Sequence, residues 1–220
     1  MEETVLGSGR SVLGKASTSA PAPNTQHLTP EQLKFLQLVA PPALRSQASY
    51  GIPAAVTIAQ AILESGWGRS KLFTQANNPF GIKHRHSAGG EEYGEYVAET
   101  TEFEAGIPHT ELAVFARFPD LESAFQAHAR LFWRLARYAA AIAARRDWRA
   151  FADALGPRTN DQDRAHGGYS TDPLYAAKLK NLARACRLDD RRALAWYATG
   201  RDPASEKETG NSKLETGTSF

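Results

Sequence analysis

The sequence predicts a mainly α domain of the α+β kind, with one small β insertion between helices. Three observations carry this. Apolar residues recur at helical spacing over about 30–63 and again over about 120–188. Between them, residues 80–116 lose that period and gain glycines, aromatics and strand-like alternation. The chain has 220 residues, 42% hydrophobic and 23% charged, which suits one soluble globular domain with tails.

The elements follow in order. Residues 1–27 are rich in Ser, Thr, Ala, Gly and Pro and are expected to form a disordered leader. Thr29-Pro30-Glu31-Gln32 is a capping-box pattern with proline at the first helical position. Leu33, Leu36, Val39 and Ala40 then share a helix face. Pro41-Pro42 is expected to break this helix, leaving a second short one to about Tyr50, ended by Gly51. Pro53 opens a buried helix carrying Val56, Ala59, Ile62 and Leu63, and Gly66 and Gly68 stop it. Val97, Glu99, Thr101 and Phe103 alternate, and residues 114–118 read as a further strand, so short antiparallel strands or an extended loop are expected here. From Asp120 the helical period returns in Leu121, Ala124, Phe125, His128, Leu131, Phe132 and Leu135. Another helix is expected near 147–155, followed by a polar loop, and Thr171-Asp172-Pro173 opens a last domain helix through about Leu188. The domain is thus placed at 28–189, with a short helix and a disordered tail over 190–220.

Several function classes lose support from composition. A net charge of +2 makes no case for nucleic acid. Cys186 is the one cysteine, so no internal disulfide forms, and its ARACRL setting reads as a packing thiol. No stretch reaches the roughly 18 apolar residues of a membrane span. The first residues carry acids and no apolar run, so no secretory signal peptide is expected. His84, His86, His109 and His166 read as loop histidines rather than the convergent ligands of a zinc site. No metal or cofactor is expected, and a monomer is the default. Arg145, Arg146 and Arg149 beside Trp148 read first as a solvated helix face, then as a contact for an anionic polymer.

The stretch QAILESGWG at residues 60–68 is the candidate site. It sets Glu64 at the end of a helix, where the backbone dipole is negative and disfavours a carboxylate. Ile62, Leu63 and Trp67 add desolvation, which also raises a carboxyl pKa. Such a group suits proton donation near neutral pH. The glycines would admit a bulky ligand, and Trp67 offers a flat face of the kind on which sugar rings stack. The plainer alternative pairs Glu64 with Arg69 or Lys71 and puts Trp67 in the core. Asn77 and Asn78 would bond either their own loop or a sugar N-acetyl group, with the loop ahead. Phe80 fits a core role better than a sugar platform. Asn78 and Phe80 nevertheless stand with Trp67 among the candidate substrate contacts.

AQAILESGWGRS followed by NNPFGIK resembles the glucosaminidase domain of peptidoglycan hydrolases, glycoside hydrolase family 73, shared by flagellar rod-cap proteins and autolysins. TTEFEAG at 100–106 and VFARFPDLESAFQAHARLF after it resemble the family's TTEY-type strand and following helix, with Ala116 in place of arginine and Asp120 in place of serine. GGYSTDPLYAAKL at 167–179 resembles its GYATDP-x-Y-x-x-KL segment. The resemblance spans about residues 30–188, with its motifs in the family's order.

This resemblance implies a lysozyme-like helical fold with a β-lobe across a substrate groove. It implies that Glu64 is the general acid. It selects Glu102 as the second carboxylate, ahead of Glu99 and Glu95 in a stretch that also holds Glu91, Glu92 and Glu104. Tyr169 takes the role of a groove-lining tyrosine. The expected activity is cleavage of β-1,4 bonds of peptidoglycan by an endo-β-N-acetylglucosaminidase. A muramidase, a lytic transglycosylase or an inactive wall-binding scaffold would fit the same fold. The expected place of action is the cell wall, in the periplasm or outside the cell. A phage-lysis, flagellar or specialised secretion route, or injection, would deliver the protein.

Overall fold

The computed structural model describes residues 27–84, 93–104, 107–157 and 168–201, with backbone alone over 101–104 and 107–109. Residues 1–26 of the expected leader and the tail from 202, with Glu91, Glu92, His86 and His166, lie outside the described residues.

Helix α1 (Pro30–Tyr50) starts as expected: Thr29 Oγ1 accepts the Gln32 N–H, and the Gln32 side chain accepts the Thr29 N–H at 2.9 Å. It does not break at Pro41-Pro42 but runs on to Gly51, which takes a left-handed φ of 73°. The two prolines leave the carbonyls of Gln37 and Leu38 without ladder partners, and both residues are exposed, so water can serve them. Leu36, Val39, Ala40, Ala43 and Ser46 are buried along one stripe, and that packing outweighs the local cost.

Helix α2 (Ala54–Ser65) lies at the centre of the core, with every residue from Ala54 to Ile62 buried. It is followed by α3 (Lys71–Ala76), the hairpin β1 (Gly94–Glu104) and β2 (Ile107–Arg117), α4 (Leu121–Arg134), a 3-10 turn (Ala136–Tyr138), α5 (Ala139–Ala144), α6 (Trp148–Ala154), α7 (Tyr175–Ala185) and α8 (Arg191–Thr199). Helices α1, α6 and α7 pack on α2, while α4 and α8 pack on α1. Helix α8 adds Ala193, Leu194 and Tyr197 to the main core, and the Tyr197 hydroxyl donates to the Cys186 carbonyl at 3.0 Å. Cys186 is buried, and desolvation pushes its thiol up to about 11, so it packs rather than reacts.

The alternating stretch forms an antiparallel hairpin, with Val97 opposite Val114 and Glu102 opposite His109. One set of register positions holds Tyr96, Ala98, Ala113 and Phe115. Ala113 and Phe115 are buried, and the Tyr96 hydroxyl donates to Gln75 Oε1 of α3 at 2.8 Å, so this face turns to the helical body. Val97, Val114 and Leu112 occupy the other face and are exposed. Residues 82–84 pair along the other edge of β2, through Ala116 N–H to Ile82 O at 2.9 Å and His84 N–H to Val114 O at 2.8 Å. A small second core of Ala116, Phe118, Ala124 and Ala127 ties the hairpin base to α4. The molecule is thus a lysozyme-like helical domain with a small two-stranded antiparallel β-lobe.

Candidate active site

The ESGWG stretch closes α2. The N–H groups of Gly66 (φ 59°) and Trp67 both return to the Ile62 carbonyl. Ser65 Oγ accepts the Gly68 N–H at 2.8 Å. At Gly68, φ is 76° and a Cβ would stand 2.7 Å from the Phe35 ring. The second glycine therefore admits a core phenylalanine, not the bulky ligand expected from sequence. This tight closure leaves Glu64 on the rim: Ser65 is buried, Leu63 half-buried, Glu64 exposed.

Helix α7 supplies its partner. The Tyr175 hydroxyl donates to Glu64 Oε1 at 2.8 Å. Gln60, one turn earlier on α2, donates from Nε2 to the Tyr175 oxygen at 3.1 Å. Because Gln60 fills an acceptor position on that oxygen, the tyrosine proton points to Glu64. Glu64 is open to solvent by area, yet the protein around its carboxyl desolvates it, and this dominates: its pKa is raised. The Tyr175 hydrogen bond opposes that shift without cancelling it. Burial, followed by the charges of Tyr169 and Glu64, drives the Tyr175 pKa far upward, so Tyr175 stays a hydroxyl donor. With Oε1 engaged as an acceptor, Oε2 is the oxygen left to carry a proton.

Tyr169 stands behind this pair. Its ring stacks on Tyr175 at 5.8 Å and 11°. Its hydroxyl donates to the Phe80 carbonyl at 3.1 Å. Gly168 holds it in place, since a Cβ there would lie 2.1 Å from the Gly156 carbonyl. The structure thus brings Glu64 and Tyr169 together through Tyr175, a contact between residues 111 positions apart. Tyr175 was not singled out from sequence, though it is the second tyrosine of the GGYSTDPLYAAKL segment. Trp67 lies next to the acid in sequence, half-buried, with its ring edge-on to Phe35 at 6.0 Å.

Two expected contacts are corrected. Asn78 is buried, and both its amide protons are donated, to the Ile82 and Ala116 carbonyls at 2.9 Å each. Its Oδ1 accepts the N–H groups of Phe80 and Ile82, so nothing remains for a sugar. Asn78 instead fixes the strand that lines β2. Phe80 is also buried, stacked on His128 at 3.9 Å and edge-on to Phe125 at 4.9 Å. Asn77 caps α3 in a left-handed conformation and donates to the Phe118 carbonyl at 3.0 Å. Of the acidic stretch, Glu95 Oε1 lies 3.4 Å from His84 Nε2, Glu99 is exposed opposite Leu112, and Glu102 is placed by its backbone alone.

A carboxyl whose pKa is raised by desolvation, held on one oxygen by a tyrosine and exposed to solvent, suits general-acid work in a lysozyme-like glycoside hydrolase. The chain belongs to the glucosaminidase family, whose sequence model, described as mannosyl-glycoprotein endo-β-N-acetylglucosaminidase, matches residues 40–188. It is 33% identical over 166 residues to the exo-glucosaminidase LytG of Bacillus subtilis, covering 73% of this chain and 53% of that protein. It is 31% identical over 155 residues to the peptidoglycan hydrolase FlgJ of Pseudomonas aeruginosa, covering 69% of this chain and 36% of FlgJ. The chain thus spans about half or less of the length of these relatives. Among solved structures, the autolysin Auto catalytic domain of Listeria monocytogenes matches with a TM-score of 0.59 at 26% identity, over 73% of this chain and 87% of that one. A peptidoglycan hydrolase mutant of Sphingomonas sp. A1 matches with a TM-score of 0.56 at 34% identity, over 72% and 97%.

Proposed function

We propose that the chain is a peptidoglycan hydrolase of the endo-β-N-acetylglucosaminidase type, with Glu64 as general acid. The observation that carries this is the raised carboxyl of Glu64, held on one oxygen by Tyr175 and open to solvent. Glu64 Oε2 protonates the leaving glycosidic oxygen as an oxocarbenium-like state develops. Glu102 assists water, or the acetamido group of the substrate attacks in its place. What supports Glu102 over its rivals is the backbone register: it belongs to the same set of positions as Tyr96 and Phe115, whereas Glu95 and Glu99 share the other set with exposed Val97 and Leu112. Trp67 and Tyr169 line the groove beside the acid. The protein acts on the cell wall, a reading supported by its similarity to a peptidoglycan hydrolase and an autolysin.

The test is digestion of purified peptidoglycan, followed by borohydride reduction and mass analysis, for wild type, Glu64→Gln and Glu102→Gln. Reduced N-acetylglucosamine ends that vanish with Glu64→Gln are expected. Reduced muramic ends would make the protein a muramidase, and anhydro ends a transglycosylase. No products from folded wild type would leave a wall-binding scaffold.

A further inference from the structure

We propose that Gln60 is a positioning residue of the acid: its buried amide aims the proton of the Tyr175 hydroxyl at Glu64 Oε1, and the fold keeps that amide at a cost in stability. The proposal rests on the general-acid reading of Glu64 above and adds the residue that sets the strength of that acid.

Gln60 stands in an apolar place. Helix α2 is buried at every position from Ala54 to Ile62, and Thr57 and Gln60 are its polar side chains there. Thr57 returns its hydroxyl proton to the Pro53 carbonyl at 3.2 Å, within its own helix. Gln60 is fully buried and reaches across to α7 instead, where Nε2 donates to the Tyr175 oxygen at 3.1 Å. Its Oε1 is buried with no hydrogen-bond partner among the described residues. A buried acceptor without a partner carries its full desolvation penalty, which an apolar side chain of the same size would not. The fold gains nothing from that oxygen, whereas the N–H beside it lies one hydroxyl away from the acid.

A tyrosine hydroxyl has one proton to give. With the Gln60 N–H on its oxygen, Tyr175 gives that proton to Glu64 Oε1 at 2.8 Å. Were the Gln60 carbonyl turned to Tyr175, the proton would be drawn to Gln60, and the hydroxyl would meet Glu64 only as an acceptor, which favours the protonated carboxyl. The Gln60 N–H also favours negative charge on the Tyr175 oxygen, so the hydroxyl donates more strongly. Desolvation and this hydroxyl shift Glu64 in opposite directions, the first upward and the second downward. Tyr175 on α7 and Tyr169 before it are titratable groups set against Glu64, and burial keeps both neutral. Gln60 therefore acts on the carboxyl through Tyr175.

The experiment is an NMR titration of the Glu64 carboxyl in wild type, Gln60→Met, Tyr175→Phe and the double variant, with a thermal melt for each. Methionine keeps the length and volume of Gln60 and removes both polar atoms. Gln60→Met is expected to raise the Glu64 pKa by roughly 0.2–0.5 unit, a part of the Tyr175→Phe shift, because one hydrogen bond strengthens the next by about 10–30%. In the Tyr175→Phe background the same substitution should leave the Glu64 pKa in place. Gln60→Met should also melt no lower than wild type, since it removes an unpartnered buried acceptor. An unchanged Glu64 pKa in Gln60→Met, an equal shift in both backgrounds, or a melt well below wild type would overturn the proposal, the last by making Gln60 a residue of the fold alone. A pH–rate profile on purified peptidoglycan is taken on the same proteins, and its alkaline limb should move with the titration. If wild type cleaves nothing, the hydrolase reading falls, and the titration still decides this proposal.

Discussion

At Glu64 two effects oppose each other: desolvation raises the carboxyl pKa and the Tyr175 hydroxyl lowers it. Removing the hydroxyl should therefore move the pKa further up. Tyr175→Phe is expected to shift the alkaline limb of the pH–rate profile upward by about one unit, because a hydrogen bond to a charged group is worth about 1.5–3 kcal/mol and one unit is about 1.4. A pH–rate profile of wild type and variant checks this. His128 offers a second test. It is fully buried, neither ring nitrogen has a hydrogen-bond partner among the described residues, and burial lowers its pKa to about 3. The unfolded chain thus binds this proton more readily, and the stability of the fold is lost as pH falls from about 6.5 toward 3, by about 1.4 kcal/mol per unit. Urea unfolding of His128→Leu at pH 5 and pH 8 should show a flatter acid slope than wild type. The raised carboxyl pKa of Glu64 could be anticipated from its own neighbours, because helix end and apolar flanks are local. Tyr175 could not, because its role comes from a contact between α2 and α7. At Asn78 and Phe80 the loop and core readings, put ahead from sequence, fit the structure: the amide bonds its own loop and the ring packs on His128.

At the scale of elements, the turn after α2 is built around one glycine. Gly68→Ala adds a Cβ that meets Phe35 and holds a left-handed φ, so it should destabilise the protein by about 2–4 kcal/mol. Denaturant midpoints measure this, and Gly66→Ala, with open space at its Cβ, should cost less. Caps were legible: Thr29, Gly51 and Gly66 all act where the sequence placed them. The continuity of α1 was not, because a Pro-Pro pair is a local signal and the stripe that overrides it is tertiary. The hairpin was visible as alternation, but which face turns inward depended on Tyr96 meeting Gln75.

For the whole molecule, the main core draws on both ends of the described chain, since α8 packs on α1. Ending the chain at residue 189 would expose the contacts of Leu194 and Tyr197 and should cost about 3–6 kcal/mol, read as a fall in the melting temperature. The fold class was legible because helical period, one alternating insert and their order are properties of the sequence itself. The cluster of Glu64, Tyr175 and Tyr169 was not, because it joins α2, α7 and the segment before α7 only after folding. The central claim is that one carboxyl carries the chemistry. The most direct measurement is kcat of Glu64→Gln on purified peptidoglycan, with its melting temperature taken beside wild type. The account predicts a loss of about 10²–10⁴-fold with the fold intact. A folded Glu64→Gln protein that cleaves within about threefold of wild type would contradict it.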